Sequence, residues 1–257
     1  MDGKKTRFRS IVNSAEEATP RLPLVHTTDV YKFVDALDSG SVEPRPCEVF
    51  NGESLVYMFY GRPSFRSNDG AEPTTMAHYL PVCLLFSLEK CGDIRRIFPF
   101  DSGAFDRGMY EAFLHANMKL DDFGLVPDVK TPGKLISKFF GSVTDYMNGR
   151  AVSGLNADAT QFEAHSYLEL VSAKGANSID SRSSSIEVQL SNSVNISEAV
   201  MAIILPSTFL DGEVGGRLKS LGIDMLPYKI IDRMRPSEYV SKMFELCDSY
   251  YTARDLI

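Results

Sequence analysis

The sequence predicts an α+β fold, and three observations carry the prediction. Strand-like runs rich in apolar, β-branched and aromatic residues lie at 22–26, 55–60 and 79–87, and again at 186–190 and 199–206. Apolar residues at helical spacing dominate the middle of the chain, over 105–118 and 132–140. No internal repeat or low-complexity tract is present. Strands at both ends with helices between them fit a single domain over 21–257, behind a polar arm at 1–20. With 257 residues, 44% of them hydrophobic, the chain can bury one large core.

Residues 1–20 are polar and mixed in charge, which predicts a loose arm or a first short helix. Leu22, Pro23, Leu24, Val25 and His26 read as a first strand. A helix follows over 29–37, with Thr28 or Asp29 as its cap, Val30, Phe33, Val34 and Leu37 on one face, and Gly40 as its stop. Residues 42–44 turn into a short segment before the strand at 55–60. Residues 64–75 form a polar loop around Asn68, Asp69 and Gly70. The nearly continuous apolar run at 79–87 predicts a central strand, and 94–100 a further one.

Phe105, Met109 and Phe113 predict a helix over 105–118, and Leu135, Ile136, Phe139 and Phe140 one over 132–140. Residues 144–158 are turn-rich, and 162–170 suit either helix or strand. The Ser, Gly and Asn content of 174–185 predicts a mobile loop. Residues 186–190 and 199–206 read as paired strands with a short connection. A last helix over about 236–251 buries Tyr239, Val240, Met243, Phe244, Leu246 and Cys247.

Composition removes several classes of function. A net charge of −7 argues against binding nucleic acid through a broad basic face, although Lys4, Lys5, Arg7 and Arg9 make a local positive field. Cys47, Cys83, Cys91 and Cys247 form no CxxC pair and no His/Cys ligand spacing, so neither a metal site nor a disulfide scaffold is expected. Cys83 reads as a small buried residue. The chain opens without an apolar signal segment, and no apolar run is long enough to cross a bilayer; a cytoplasmic protein with no membrane partner is expected.

Three segments carry candidate site chemistry. Arg62 sits where the strand at 55–60 runs into Gly61 and Pro63, and its planar fork suits a phosphate or carboxylate; alone, it also reads as a surface ion pair. His26 and Thr27 lie between a strand and a helix, where they can meet a ribose, carboxamide or phosphate, or simply cap the helix. Glu187 and Gln189 share one face of a strand whose other face is apolar, behind Ser183, Ser184 and Ser185. That carboxylate either serves a ligand or points to water. Tyr57 and Tyr60 suit the sheet interior, and either can stack on a planar ring.

Taken in order, these segments resemble the ADP-ribosyltransferase fold, most nearly the DarT-like toxins that modify DNA. The resemblance rests on three stretches: His26 and Thr27 with the helix ending at Gly40; Phe59, Tyr60, Gly61, Arg62, Pro63 and Ser64; and Ile186, Glu187, Val188, Gln189 and Leu190 with the strand ending near Pro206. It implies two small antiparallel or mixed sheets forming an NAD cleft, with NAD as substrate and no metal. His26 and Thr27 would hold the nicotinamide-ribose side, helped by Tyr57, Tyr60 and Gln189. Arg62 would bind phosphate or position the acceptor. Glu187 would stabilise the positive ribose as nicotinamide leaves. The implied activity is ADP-ribosyl transfer to a nucleic acid or protein, as in a bacterial toxin or phage-defence effector, with an antitoxin or regulator as partner. An NAD hydrolase, or a non-catalytic nucleotide-binding or protein-interaction module on the same fold, is the alternative. Segments 90–175 and 210–257 fall outside the resemblance.

Overall fold

The computed structural model describes residues 6–64, 72–173 and 181–257. In chain order the elements are α1 (Arg7–Asn13), β1 (Leu24–Asp29), α2 (Val30–Ser39), β2 (Ser41–Val42), β3 (Arg45–Pro46), β4 (Ser54–Tyr60), β5 (Pro81–Phe86) and β6 (Ile94–Phe98). The helical middle follows, with α3 (Ser102–Asp106), α4 (Thr131–Phe139), α5 (Val143–Met147) and α6 (Phe162–Ser172). The chain closes with β7 (Glu187–Leu190), β8 (Val194–Asn195), α7 (Ile196–Ala199), β9 (Val200–Pro206), α8 (Glu213–Ser220), β10 (Asp224–Tyr228) and α9 (Val240–Thr252).

The architecture is α+β. A mixed eight-stranded sheet runs in the order β10-β9-β5-β1-β4-β7-β6, with β3 paired beside β4. All its ladders are antiparallel except β9 with β10, which are joined through α8, because a parallel pair needs a crossover. β2 and β8 form a small separate sheet. Two independent sheets were expected from the resemblance, but the main strands form one continuous sheet.

The join within that sheet is narrow. β1 meets β4 only at Leu24 opposite Tyr60 and Val25 opposite Phe59. Against β5, by contrast, β1 pairs without a break from Leu24 opposite Phe86 to Asp29 opposite Pro81. From His26 onward β1 stays with β5 and parts from β4, so the sheet forks. One half is β10-β9-β5-β1 and the other is β4-β7-β6 with β3.

Local signals account for the elements that flank the fork. Asp29 caps α2 by accepting from the Lys32 N–H at 2.8 Å, and Gly40 ends the helix with φ of 79°, a left-handed conformation that suits glycine. β5 is buried at every position, as its unbroken apolar run requires. In the N-terminal segment, Arg7–Asn13 form the short helix α1. Phe8 of α1 is fully buried, with its ring 5.4 Å from Phe123 and 5.5 Å from Phe139 and Tyr167.

Three expectations about the elements are corrected. The helix predicted over 105–118 stops after Asp106; Gly108 takes φ of 72°, which breaks the right-handed run, and the following residues are turns. β7 and β9 do not pair with each other. β7 lies between β4 and β6, β9 between β5 and β10, and the connection carries β8 and α7 across the sheet. The last helix begins as a 3-10 turn over Pro236–Tyr239 and buries Met243, Cys247, Tyr250 and Tyr251. Val240, Phe244 and Leu246 are only half-buried. Among the described residues no helix is long and apolar enough to cross a membrane.

Candidate functional site

Glu187 starts β7, opposite Phe59 of β4 on one side and Phe98 of β6 on the other. Strand alternation turns Glu187 and Gln189 to one face and Val188 and Leu190 to the other. The carboxylate does not point to water: Glu187 is 1% exposed. Three donors converge on it. The Ser102 N–H reaches Oε2 at 3.0 Å, the Ser102 hydroxyl reaches Oε1 at 2.8 Å, and Gln189 Nε2 reaches Oε1 at 2.6 Å. Ser102 is held there because Asp101 caps α3, accepting from the Ala104 N–H at 2.8 Å.

Burial pushes the Glu187 carboxyl up to about 8, and the nearby charge of Asp101 adds to the rise; the bonds from Gln189 and Ser102 pull the other way. Desolvation wins, so the acid holds its proton through neutral pH although its neighbours are arranged as donors to an anion.

Gln189 is fully buried, and its Oε1 accepts from Arg96 Nη1 at 3.4 Å. Arg96 lies over the Phe50 ring at 4.3 Å and pairs with Glu53, which Arg95 also contacts at 3.1 Å. The two arginines hold the Glu53 carboxyl down at about 2.

Arg62 is 6% exposed, and among the described residues its partners are Ser184 and aromatic rings with no acidic side chain, so it is not a surface ion pair. Gly61 takes φ of 69° and turns the chain out of β4. The guanidinium lies 5.4 Å from the Tyr146 ring and 5.5 Å from the Phe244 ring. Nη1 donates to the Ser184 carbonyl at 3.2 Å and hydroxyl at 2.6 Å, while Nε has no partner among the described residues. Burial lowers the Arg62 pKa, yet a guanidinium stays charged.

Arg62 thus ties the end of β4 to the turn that precedes β7. Tyr146 adds a second tie, its hydroxyl donating to the Tyr60 carbonyl at 2.7 Å and accepting from the Ile186 N–H at 3.2 Å. The serines expected in a mobile loop are part of this arrangement: Ser183, Ser184 and Ser185 are buried. Residues 174–180 of that loop, and 65–71 of the polar loop, lie outside the described residues.

His26 stands at the fork. Its Nδ1 lies 2.8 Å from the Tyr57 carbonyl, which can only accept, so Nδ1 carries the proton and Nε2 is left as an acceptor. Burial lowers its pKa and keeps the ring neutral. The half-buried Tyr57 sets its hydroxyl 2.6 Å from the Cys47 sulfur. His26 and Tyr57 line a cleft of about 400 Å³ between the two halves of the sheet, together with Thr27, Lys32 and Arg45. Tyr60 belongs to the core instead, its hydroxyl accepting from the Leu22 N–H at 2.8 Å. Asp29 already occupies an N–H at the start of α2, which removes one of the donors expected to serve a phosphate.

β1, β4 and β7 are therefore neighbours, and every predicted site residue stands on or beside them. Their side chains form two groups. His26, Thr27 and Tyr57 line the cleft; Glu187, Gln189 and Arg62 are not among its lining residues, being enclosed under Ser102, Arg96 and Ser184. Sequence reasoning missed Ser102, Arg96 and Glu53. Only the Asp101 cap left a local signal, and it marks a helix start rather than a site. A scan against protein-family models finds no match to this chain, and a search of curated proteins finds no relative.

Proposed function

We propose that this chain is an NAD-dependent ADP-ribosyltransferase that releases nicotinamide and passes ADP-ribose to a nucleic acid or protein acceptor. The observation that carries the proposal is the buried Glu187–Gln189 pair on the strand next to the fork, with its carboxyl poised near neutral pH. The forked sheet supports the finer reading of an ADP-ribosyltransferase-like cleft between two half-sheets.

In the reaction the ribose C1′–N bond breaks and its electron pair leaves with nicotinamide, so positive charge grows on the ribose. A desolvated carboxylate stabilises that charge more strongly than one in water. The resting acid is protonated because burial disfavours its charge and the charge of Asp101 disfavours it further. The cationic nicotinamide ring favours ionisation, the Glu187 proton passing to water as NAD binds, and the three donors already aimed at the carboxyl suit the anion. Glu187 then takes the proton of the incoming nucleophile as base; a pKa near 8 suits that exchange. Reaching the ribose requires exchanging the Ser102 contacts for ribose hydroxyls. Arg62 offers the diphosphate its Nε, which no described residue uses. His26 offers Nε2 as acceptor to a ribose hydroxyl or carboxamide.

The enclosure of Glu187 favours one second reading, a non-catalytic nucleotide-binding or protein-interaction module. Incubation with NAD labelled on the adenylate side, with and without cell extract, separates the readings. Free nicotinamide with label on a macromolecule supports the transferase. Free nicotinamide with soluble ADP-ribose supports a hydrolase. No turnover with intact NAD supports the module. A toxin or defence role in the cytoplasm, held in check by an antitoxin or regulator, is the setting this activity fits.

A further inference from the structure

Away from the NAD cleft, a second cleft of about 220 Å³ lies along β6, lined by Arg9, Arg95 and Arg96 with the 124–127 segment. No acidic residue lines it among the described residues, which is unusual on a chain of net charge −7. Two devices bring the arginines together. The ladder between β6 and β7 shifts register between Ile94 and Arg96, as at a β-bulge. On a regular strand consecutive side chains point to opposite faces, yet Arg95 and Arg96 both reach Glu53. Arg9, arriving from α1, is fixed by its Nε bond to the Gly124 carbonyl at 2.9 Å.

The charges do not balance. Glu53 is one carboxylate shared by two guanidiniums, and Arg9 adds a third cation. Arg96 is 8% exposed, and its Nε has no partner among the described residues. Arg95 is half-exposed, bonds Glu53 through Nε, and turns its outer nitrogens to no described partner. Guanidiniums fixed in this way, with donors unused, suit a tetrahedral oxyanion carrying two charges.

We propose that this arginine cleft is a binding site for a phosphate group, either free inorganic phosphate or the terminal phosphate of a mononucleotide. Arg96 also meets Gln189 beside Glu187, but binding of the anion can be read without NAD, so its failure is distinct from failure of the transferase reading. Glu53 holds Arg95 and Arg96 in place and competes with the incoming anion for them.

The test is calorimetric titration of inorganic phosphate, and separately of a 5′-mononucleotide, into wild-type, Arg95→Ala and Glu53→Gln proteins in chloride buffer without NAD. Arg95 is half-exposed, so its removal leaves the fold intact, which circular dichroism checks. Saturable binding of either probe that weakens at least tenfold in Arg95→Ala and tightens in Glu53→Gln supports the site, and the probe that binds identifies the source of the phosphate. Binding of neither probe, or equal binding by wild type and Arg95→Ala, overturns it.

Discussion

Gln189 donates to Glu187 at 2.6 Å through Nε2 while its Oε1 accepts from Arg96 at 3.4 Å. A carboxyl, an amide and a guanidinium thus form one buried chain across β7 and β6. The amide orientation is dictated by its partners, since a guanidinium can only donate. Gln189→Ala leaves both neighbours short of a partner in a dry environment, and should cost about 1 to 3 kcal/mol in urea unfolding. An unchanged midpoint would show that the chain is slack and does not orient Glu187.

Glu187 gives stability a pH dependence of defined sign. The unfolded carboxyl releases its proton near 4.5, whereas the folded one keeps it to about 8. Between those values the native state binds one more proton than the unfolded state, so stability falls as pH rises through the window and levels off above it. Glu187→Gln should remove that decline, making the variant relatively more stable towards pH 8. Denaturant unfolding of both proteins at pH 5 and pH 8 measures the difference; parallel slopes would refute a protonated acid.

Arg62 ties β4 to the turn before β7 and has a proposed role at the diphosphate, and substitution can separate the two. Arg62→Met fills the space between Tyr146 and Phe244 without a charge, and should keep most of the stability while losing about 2 to 4 kcal/mol of transition-state binding to NAD. Arg62→Ala loses the packing and the Ser184 tie as well, and should also unfold more readily. Arg62→Lys should rescue turnover poorly, because a point charge lacks the fork. Equal turnover of wild type and Arg62→Met would limit Arg62 to tying β4 to the turn before β7.

Gly61 is a backbone requirement of the same strand end. It adopts φ of 69°, and an added Cβ would run into the Leu22 side chain, which is itself buried. Gly61→Ala should therefore destabilise the fold by about 1 to 3 kcal/mol, from left-handed strain and the forced shift of Leu22. Thermal unfolding checks this, and an unshifted midpoint would mean that the turn yields without strain.

Local chemistry was legible in the sequence and long-range pairing was not. Asp29 and Gly40 bound α2 because caps act within a few residues, and the apolar runs located β1, β4, β5 and β9. The alternation around Glu187 revealed which residues share its face, but not that Ser102, 85 positions away, covers it. The spacing of Phe105, Met109 and Phe113 imitated a helix that Gly108 prevents. The partners of β7 and β9 depend on which strands the whole sheet interposes, information that no window of the sequence contains.

The central claim is that the carboxyl of Glu187 assists cleavage of NAD. Chromatographic measurement of nicotinamide released from NAD by wild type and by Glu187→Gln, with cell extract as the acceptor source, tests it most directly. The account predicts release by wild type and a loss of about 100-fold or more in the variant. Equal release by the two proteins, or none by the wild type, would contradict it.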